Sequence, residues 1–203
     1  MASTNKTANL GLNQWVLSDP LLMEDMNEDN RRIDAAASGN QYVKLLDVTT
    51  SANAQQVDLD VSKIDFTKYV MVQVFVTAKV TPMGSTTCLL TKINNSGAYY
   101  KDIQETSTNS REYVGYVYTN TSDSFFSNLK MEISGIPTVL TSAYLANLKV
   151  YGSSWYNAFY VHEQSGVKSF DANSRITTIN FVTDNSNVKI RDGSRFEIYG
   201  VRK

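Results

Sequence analysis

Val70, Val72, Val74, Val76, Ala78 and Val80 alternate without a break with Met71, Gln73, Phe75, Thr77 and Lys79. Successive side chains of a strand point to opposite faces, so this spacing lays one almost uniformly β-branched face against a core. Branching at Cβ restricts χ1 and suits a pleated, extended backbone. The opposite face, carrying Met71 and Phe75, is partly apolar, which predicts a central strand with a layer or a subunit on each side. The period of two holds from Gln41 onward. Further strand candidates are 42–49, 55–61, 86–94, 112–119, 124–134, 143–151, 157–162, 175–182, 187–191 and 195–201, most of them bounded by clusters such as Asn94 to Gly97, Asp184 to Asn187 and Asp192 with Gly193. Short strands at near-regular spacing, with almost no helix after residue 40, predict a mainly β chain: an antiparallel, jelly-roll-like sandwich. A chain of 203 residues accommodates one such domain with an appendage. There is no repeat of solenoid or propeller period and no heptad run long enough for a coiled coil.

The first forty residues follow a different rule. Residues 1 to 18 are rich in Ser, Thr, Asn and Gly, with Leu10, Leu12 and Trp15 as isolated apolar anchors, and read as an extended arm. Asp19 is a suitable N-cap and Pro20 suits a first helical position. After them Leu22, Met26, Ile33 and Ala37 recur at helical spacing, while Glu24, Asp25, Glu28, Asp29, Arg31, Arg32 and Asp34 fill the other faces. Ser38 to Asn40 end the helix. The expected division is therefore an arm and helix over 1–39 and a β-body over 40–203.

The arm carries a resemblance. Leu12 to Trp15 (LNQW), Ser18 to Pro20 (SDP) and Glu24 to Ala36 (EDMNEDNRRIDAA) resemble the start of tail-associated structural proteins of phages and prophages of Gram-positive bacteria, with Val16 and Leu17 in place of a polar pair and Met23 and Met26 where Arg and Phe are commoner. The closing segment Gly193 to Lys203 is similar in style to the ends of phage fibre and receptor-binding domains. The resemblance implies attachment to other virion proteins through the arm, with Trp15, Leu22, Met26 and Ile33 as the candidate attachment residues, and a homotrimer. The partly apolar second face of the 70–80 strand independently predicts self-association.

Composition narrows the chemistry. Nineteen basic against 20 acidic residues leave a net charge of −1, so there is no general positive field for nucleic acid or anionic lipid. No window approaches the ~20 apolar residues that span a bilayer. The N-terminus lacks a basic region followed by an apolar run, which predicts synthesis in a bacterial cytoplasm without a signal peptide and release within virions. Cys88 is the only cysteine and His162 the only histidine, which excludes an intramolecular disulfide and any metal site with two imidazoles from one chain. Cys88 lies in an apolar-leaning strand and reads as an inert buried thiol. No G-x-S-x-G elbow accompanies His162, and no glycine-rich loop is present to cradle phosphate. Asp58 and Asp60 flank Leu59 and share the outer face of a strand, the ordinary look of a solvated face as well as a geometry open to a cation or a sugar. Asp184, Asn185, Asn187 and Asp192 offer loop oxygens without the full calcium-loop pattern. No enzyme, metal or cofactor is predicted.

Aromatic residues are the stronger signal. Tyr151, Trp155, Tyr156, Phe159 and Tyr160 fall within ten residues, and Tyr99, Tyr100, Tyr113, Tyr116 and Tyr118 form a second concentration. Tyrosine offers large contact area at low entropic cost, and sugars stack on such rings. Trp155 and Tyr156, with Ser153, Ser154 and Asn157 making a loop around them, form the candidate glycan platform. Alternatively, the rings fill a core or a subunit interface. The functional expectation is a non-enzymatic virion part of tail-fibre or receptor-binding type that meets host-surface carbohydrate. Its rivals are a head or tail decoration protein without a receptor role, a depolymerase fragment of a tail spike, and a free carbohydrate-binding module.

Overall fold

A computed structural model describes residues 5–38, 42–81, 87–96, 99–100, 109–110, 113–119, 126–155 and 159–203; of residues 37, 38, 99, 100, 109, 110, 154, 155, 159, 160 and 162 it describes the backbone alone. The chain divides into two compact units, 1–41 and 42–203.

The first unit is more structured than an extended arm. Strands β1 (Asn5–Lys6) and β2 (Asn13–Gln14) pair antiparallel. The turn between them is closed by Thr7, whose N–H donates to Leu12 O at 2.9 Å and whose carbonyl accepts from Gly11 N at 3.0 Å. Gly11 takes φ 63°, a left-handed conformation that glycine adopts without steric cost. Helix α1 runs from Met23 to Ser38, so it begins later than Asp19 and Pro20 suggest. The reason is local. Asp19 Oδ2 accepts from Val16 N at 3.0 Å and Asp19 N donates to Val16 O at 2.8 Å, so its carboxylate closes a turn upstream of the helix.

The second unit is a mainly β, antiparallel two-sheet sandwich, as its alternation predicts. In chain order its strands are β3 (Tyr42–Thr49), β4 (Gln56–Asp60), β5 (Tyr69–Ala78), β6 (Thr87–Ile93), β7 (Tyr99–Tyr100), β8 (Asn109–Ser110), β9 (Gly115–Thr119), β10 (Ser127–Ser134), β11 (Tyr144–Trp155), β12 (Phe159–Phe170), β13 (Thr178–Thr183) and β14 (Arg195–Arg202). The large sheet has the order β3-β14-β5-β10-β11-β12-β7-β8, and the small one β4-β13-β6-β9. Val72, Val74, Val76 and Ala78 of β5 are buried with Leu129, Met131 and Ile133 of β10, Leu148 and Val150 of β11, and Phe196 and Ile198 of β14; Leu59, Leu89, Val117, Ile179 and Phe181 supply the small sheet's share. Each of these side chains larger than alanine contributes roughly 1.5–3 kcal/mol of burial. Val70, at the start of the alternating set, is exposed and lies outside that core.

Two expectations are corrected. Residues 187–191 form no strand: Asp184 to Asn187 turn, and Ile190 makes only isolated bridges to Ala54 and Val80. The stretch around Ser153 and Ser154 is not a loop either. β11 continues through Ser153, Ser154 and Trp155 and pairs with β12 up to Trp155 opposite Phe159, making one long hairpin. Glycine and serine are weak strand formers, but Gly152 is required here by packing. A Cβ on Gly152 would lie 2.6 Å from Val117 Cγ2 across the sandwich, and one on Gly115 would lie 2.5 Å from Val150 Cγ2. The two sheets interlock at these reciprocal glycine–valine contacts.

Candidate binding surfaces

In the first unit, a polar stripe of α1 grips the hairpin. Asp29 accepts from the backbone N–H of Asn13 at 3.0 Å and from its Nδ2 at 2.9 Å, and Asn13 Nδ2 also donates to Asp25 O at 3.1 Å. Arg32 Nη1 donates to Gly11 O at 2.9 Å, while Glu28 holds both Arg31 and Arg32. Those two guanidinium groups draw the Glu28 carboxyl below its ordinary range. Asp25, Glu28, Asp29 and Arg32 follow helical spacing, so they make one continuous line. Asn13, from the LNQW segment, is buried by this grip. Leu22, Met23, Met26 and Ile33 are all exposed, Met23 by 74%. Trp15 is half-buried, and its buried Nε1 has no hydrogen-bond partner among the described residues. The predicted attachment residues Leu22, Met26 and Ile33 therefore form an open apolar stripe beside a polar stripe already engaged within the unit.

On the body, the predicted glycan platform falls partly outside the described residues: Tyr156 and Asn157 are not described, and the backbones of Ser154 and Trp155 lie in β11. Ser153 is exposed on the outer face of the large sheet, opposite Val161 of β12. Of the second tyrosine group, Tyr113, Tyr116 and Tyr118 stack edge to face at 5.7 and 5.5 Å, half-buried on the small sheet's outer side. Burial, with Tyr118 alongside, pushes the Tyr116 hydroxyl up to about 12.

Registers across the large sheet define an outer surface that sequence spacing alone did not assemble. One row runs Arg195, Thr77, Asn128, Ser153, Val161; the next runs Glu197, Phe75, Lys130, Tyr151, Glu163. Aromatic rings cross it from Tyr42 to Tyr199 (6.0 Å) and from Tyr199 to Phe75 (5.8 Å), and Lys130 Nζ lies 5.9 Å from the Phe75 ring and 5.6 Å from the Tyr151 ring. Lys130 also pairs with Glu132 at 2.6 Å. Burial pushes the Glu132 carboxyl up, but Lys130 and the Gln73 amide outweigh it and hold the carboxyl below its usual value. Toward the sheet edge, Lys44, Asp47, Arg195 and Glu197 close an alternating ring of ion pairs of 2.7–3.0 Å, which draws both carboxyls down and both cations up. Between the two rows lies a depression of about 270 Å³ lined by Phe75, Thr77, Asn128, Lys130, Tyr151, Ser153 and Val161, with Val76, Leu129 and Gly152.

The residues weighed for chemistry are dispersed. Asp58 accepts from Gln56 and Asn180, and Asp60 accepts from Ser62 N, each satisfied within its own surface. Asn185 and Asp184 receive Asn187 N and Cys88 N respectively, and Asp192 N donates to Asn53. Cys88 is half-buried; burial, then the Asp184 charge, pushes its thiol up to about 12, which leaves almost no thiolate at neutral pH. Among the described residues, no three His, Cys, Asp or Glu side chains are placed to hold a metal ion, and no helix is long and apolar enough to cross a membrane. The His162 backbone pairs with Gly152 in the β11–β12 hairpin.

Comparison with protein families, with curated proteins and with solved structures yields no significant match for this chain.

Proposed function

We propose that this protein is a non-enzymatic phage virion component, a tail-fibre or receptor-binding part that attaches to its particle through residues 1–39 and meets host-surface glycan through its β-body. The observation that carries the reading is the helix. Its polar residues Asp25, Asp29 and Arg32 hold its own hairpin, while Leu22, Met26 and Ile33 stay open to solvent. A short helix that leaves its apolar stripe uncovered is suited to docking on a larger assembly. The resemblance of the arm to phage tail-associated proteins supports a virion as that assembly. The sandwich, with a surface of rings and small polar groups on one sheet, supports recognition rather than catalysis, and the sequence candidates Trp155 and Tyr156 belong to the same reading. Self-association as a homotrimer is part of it, and sedimentation of the purified chain as a monomer at micromolar concentration would count against that part.

The test uses the full chain with Met26→Ser and Ile33→Ser together. Both side chains are exposed, so the melting temperature of the body should not move, whereas incorporation into particles of the encoding phage should fall at least tenfold. Normal incorporation of the double variant refutes anchoring by this stripe. Labelling intact particles with an antibody to the body separates the rivals, since signal over the head supports decoration and signal at the tail tip supports receptor binding.

A further inference from the structure

We infer that the depression on the outer face of the large sheet, between the row of Phe75, Lys130 and Tyr151 and the row of Thr77, Asn128 and Ser153, is a binding site for a neutral saccharide. This inference rests on the proposed recognition role of the body and assigns the contact to the sheet face instead of the hairpin tip alone.

The groups present match what a pyranose needs. Phe75 and Tyr151 stand two strands apart, about 10 Å by ordinary strand spacing, on either side of Lys130, whose ammonium lies 5.9 and 5.6 Å from their ring centres; both rings line the depression, where apolar ring surface suits the C–H faces of a sugar. Val161, 84% exposed, extends that apolar surface onto β12 beside Ser153. Hydrogen-bonding capacity lies in the adjoining row. Thr77 Oγ1 donates to Asn128 Oδ1 at 3.3 Å, which orients the amide, and among the described residues its Nδ2 has no hydrogen-bond partner. Ser153 Oγ has none either among the described residues. Oriented but uncommitted donors beside rings are the means by which a concave site selects hydroxyl-bearing ligands.

Charge decides the class of sugar. The nearest cation, Lys130, is paired with Glu132 at 2.6 Å, and Arg195, at the end of the row of Thr77, Asn128 and Ser153, is held by Asp47 and Glu197. An anionic ligand would have to displace one of these carboxylates, and a cationic one would face Lys130. A neutral ligand meets neither penalty. Leu129 and Gly152 also line this depression, whose volume of about 270 Å³ leaves room for a sugar ring.

The experiment is saturation-transfer NMR on the full chain with methyl glucoside, methyl galactoside, methyl rhamnoside and N-acetylglucosamine as probes. Transfer to at least one of them is expected, unchanged between low and high salt, and reduced tenfold or more by Val161→Arg and by Asn128→Ala. Both substitutions are at exposed positions, and an unchanged far-UV circular dichroism spectrum confirms folding. Absence of transfer to every probe overturns the inference. Transfer that persists in both variants but is lost in Trp155→Ala overturns this site while leaving the recognition role intact at the hairpin tip. A change in sedimentation caused by Val161→Arg shows the face to be a subunit contact and overturns the inference as well.

Discussion

Substituting alanine for Gly152 probes how the two sheets are held together. Its backbone is not left-handed, so replacing glycine by alanine gains some 0.4–1 kcal/mol from a less flexible unfolded chain. Against that, the new methyl would lie 2.6 Å from Val117 Cγ2 and 2.8 Å from Val117 Cβ, well inside contact distance, and Val117 is fully buried and cannot move into solvent. Overpacking of this kind costs about 1–3 kcal/mol, so Gly152→Ala should destabilise the body by about 1–2 kcal/mol net. Val117→Ala alone removes two buried methyl-sized groups, about 0.8 kcal/mol each in transfer, and leaves a cavity, for a total of about 2–3 kcal/mol.

The two changes are complementary in part, because Val117→Ala removes the Cγ2 that would lie 2.6 Å from the methyl added at residue 152, while the Cβ at 2.8 Å remains and must shift. Independent sites would give the double variant the sum, roughly 3–5 kcal/mol, whereas contact between them predicts a double variant about 1–2 kcal/mol better than that sum. Equilibrium urea unfolding followed by far-UV circular dichroism, which reports mainly on the strands, measures all four corners of the cycle. Additivity within about 0.5 kcal/mol would refute the argument that Gly152 is fixed by its approach to Val117.

The ion-pair ring of Lys44, Asp47, Arg195 and Glu197 predicts an acid dependence. Both carboxyls are held below their ordinary values, so their stabilisation is full above an unfolded carboxyl value of about 4 and is lost as pH falls through the depressed folded values. The melting-temperature gap between wild type and Asp47→Asn should therefore be constant from neutral pH to about 5 and shrink toward pH 2; an unchanged gap at pH 2 would exclude a role for the ring in stability. In the first unit, Asp29→Asn replaces a carboxylate that accepts two hydrogen bonds from Asn13, bonds to a charged group worth about 1.5–3 kcal/mol. Exchange of the Asn13 amide should accelerate tenfold or more while the body's unfolding is unchanged, and an unaltered exchange rate would remove Asp29 from the grip.

Parts of this architecture are legible in the sequence because they depend on period. The inner face of β5 follows from alternation, and the turn at Asn94 and Asn95 from residues that tolerate the left-handed conformation both adopt, φ 51° and 55°. Other parts depend on partners that spacing does not specify. Gly152, Ser153 and Ser154 have the composition of a loop, yet the ladder continues through them because Gly152 faces Val117 and Ser153 stands opposite Val161. Asp19 has the chemistry of a cap, but its carboxylate accepts from an N–H upstream, at Val16. The depression draws on β5, β10, β11 and β12, so its residues are scattered from Phe75 to Val161, and only their cross-strand registers bring them into two adjacent rows. Of the five platform residues read from sequence, Ser153 is the one placed against it.

The helix shows why a face pattern does not name what lies against it. Periodicity separates Leu22, Met26 and Ile33 from Asp25, Glu28, Asp29 and Arg32, and in an isolated globular chain the apolar line would be the one turned inward. Here the inward line is the polar one, because the hairpin presents backbone groups at Asn13, Leu10 and Gly11 that need donors and acceptors, and the carboxylate and guanidinium of α1 satisfy them. An acid such as Asp29 is therefore an internal contact, although composition marks it as solvated surface, and an apolar residue such as Met26 is surface, although composition marks it as core. Removing the apolar side chains leaves this polar grip intact, while removing Asp29 leaves the apolar stripe intact. Folding of the unit and its proposed attachment to a partner are thus separable by substitution, and loss of incorporation without loss of amide protection at Asn13 is the expected signature of docking by the stripe.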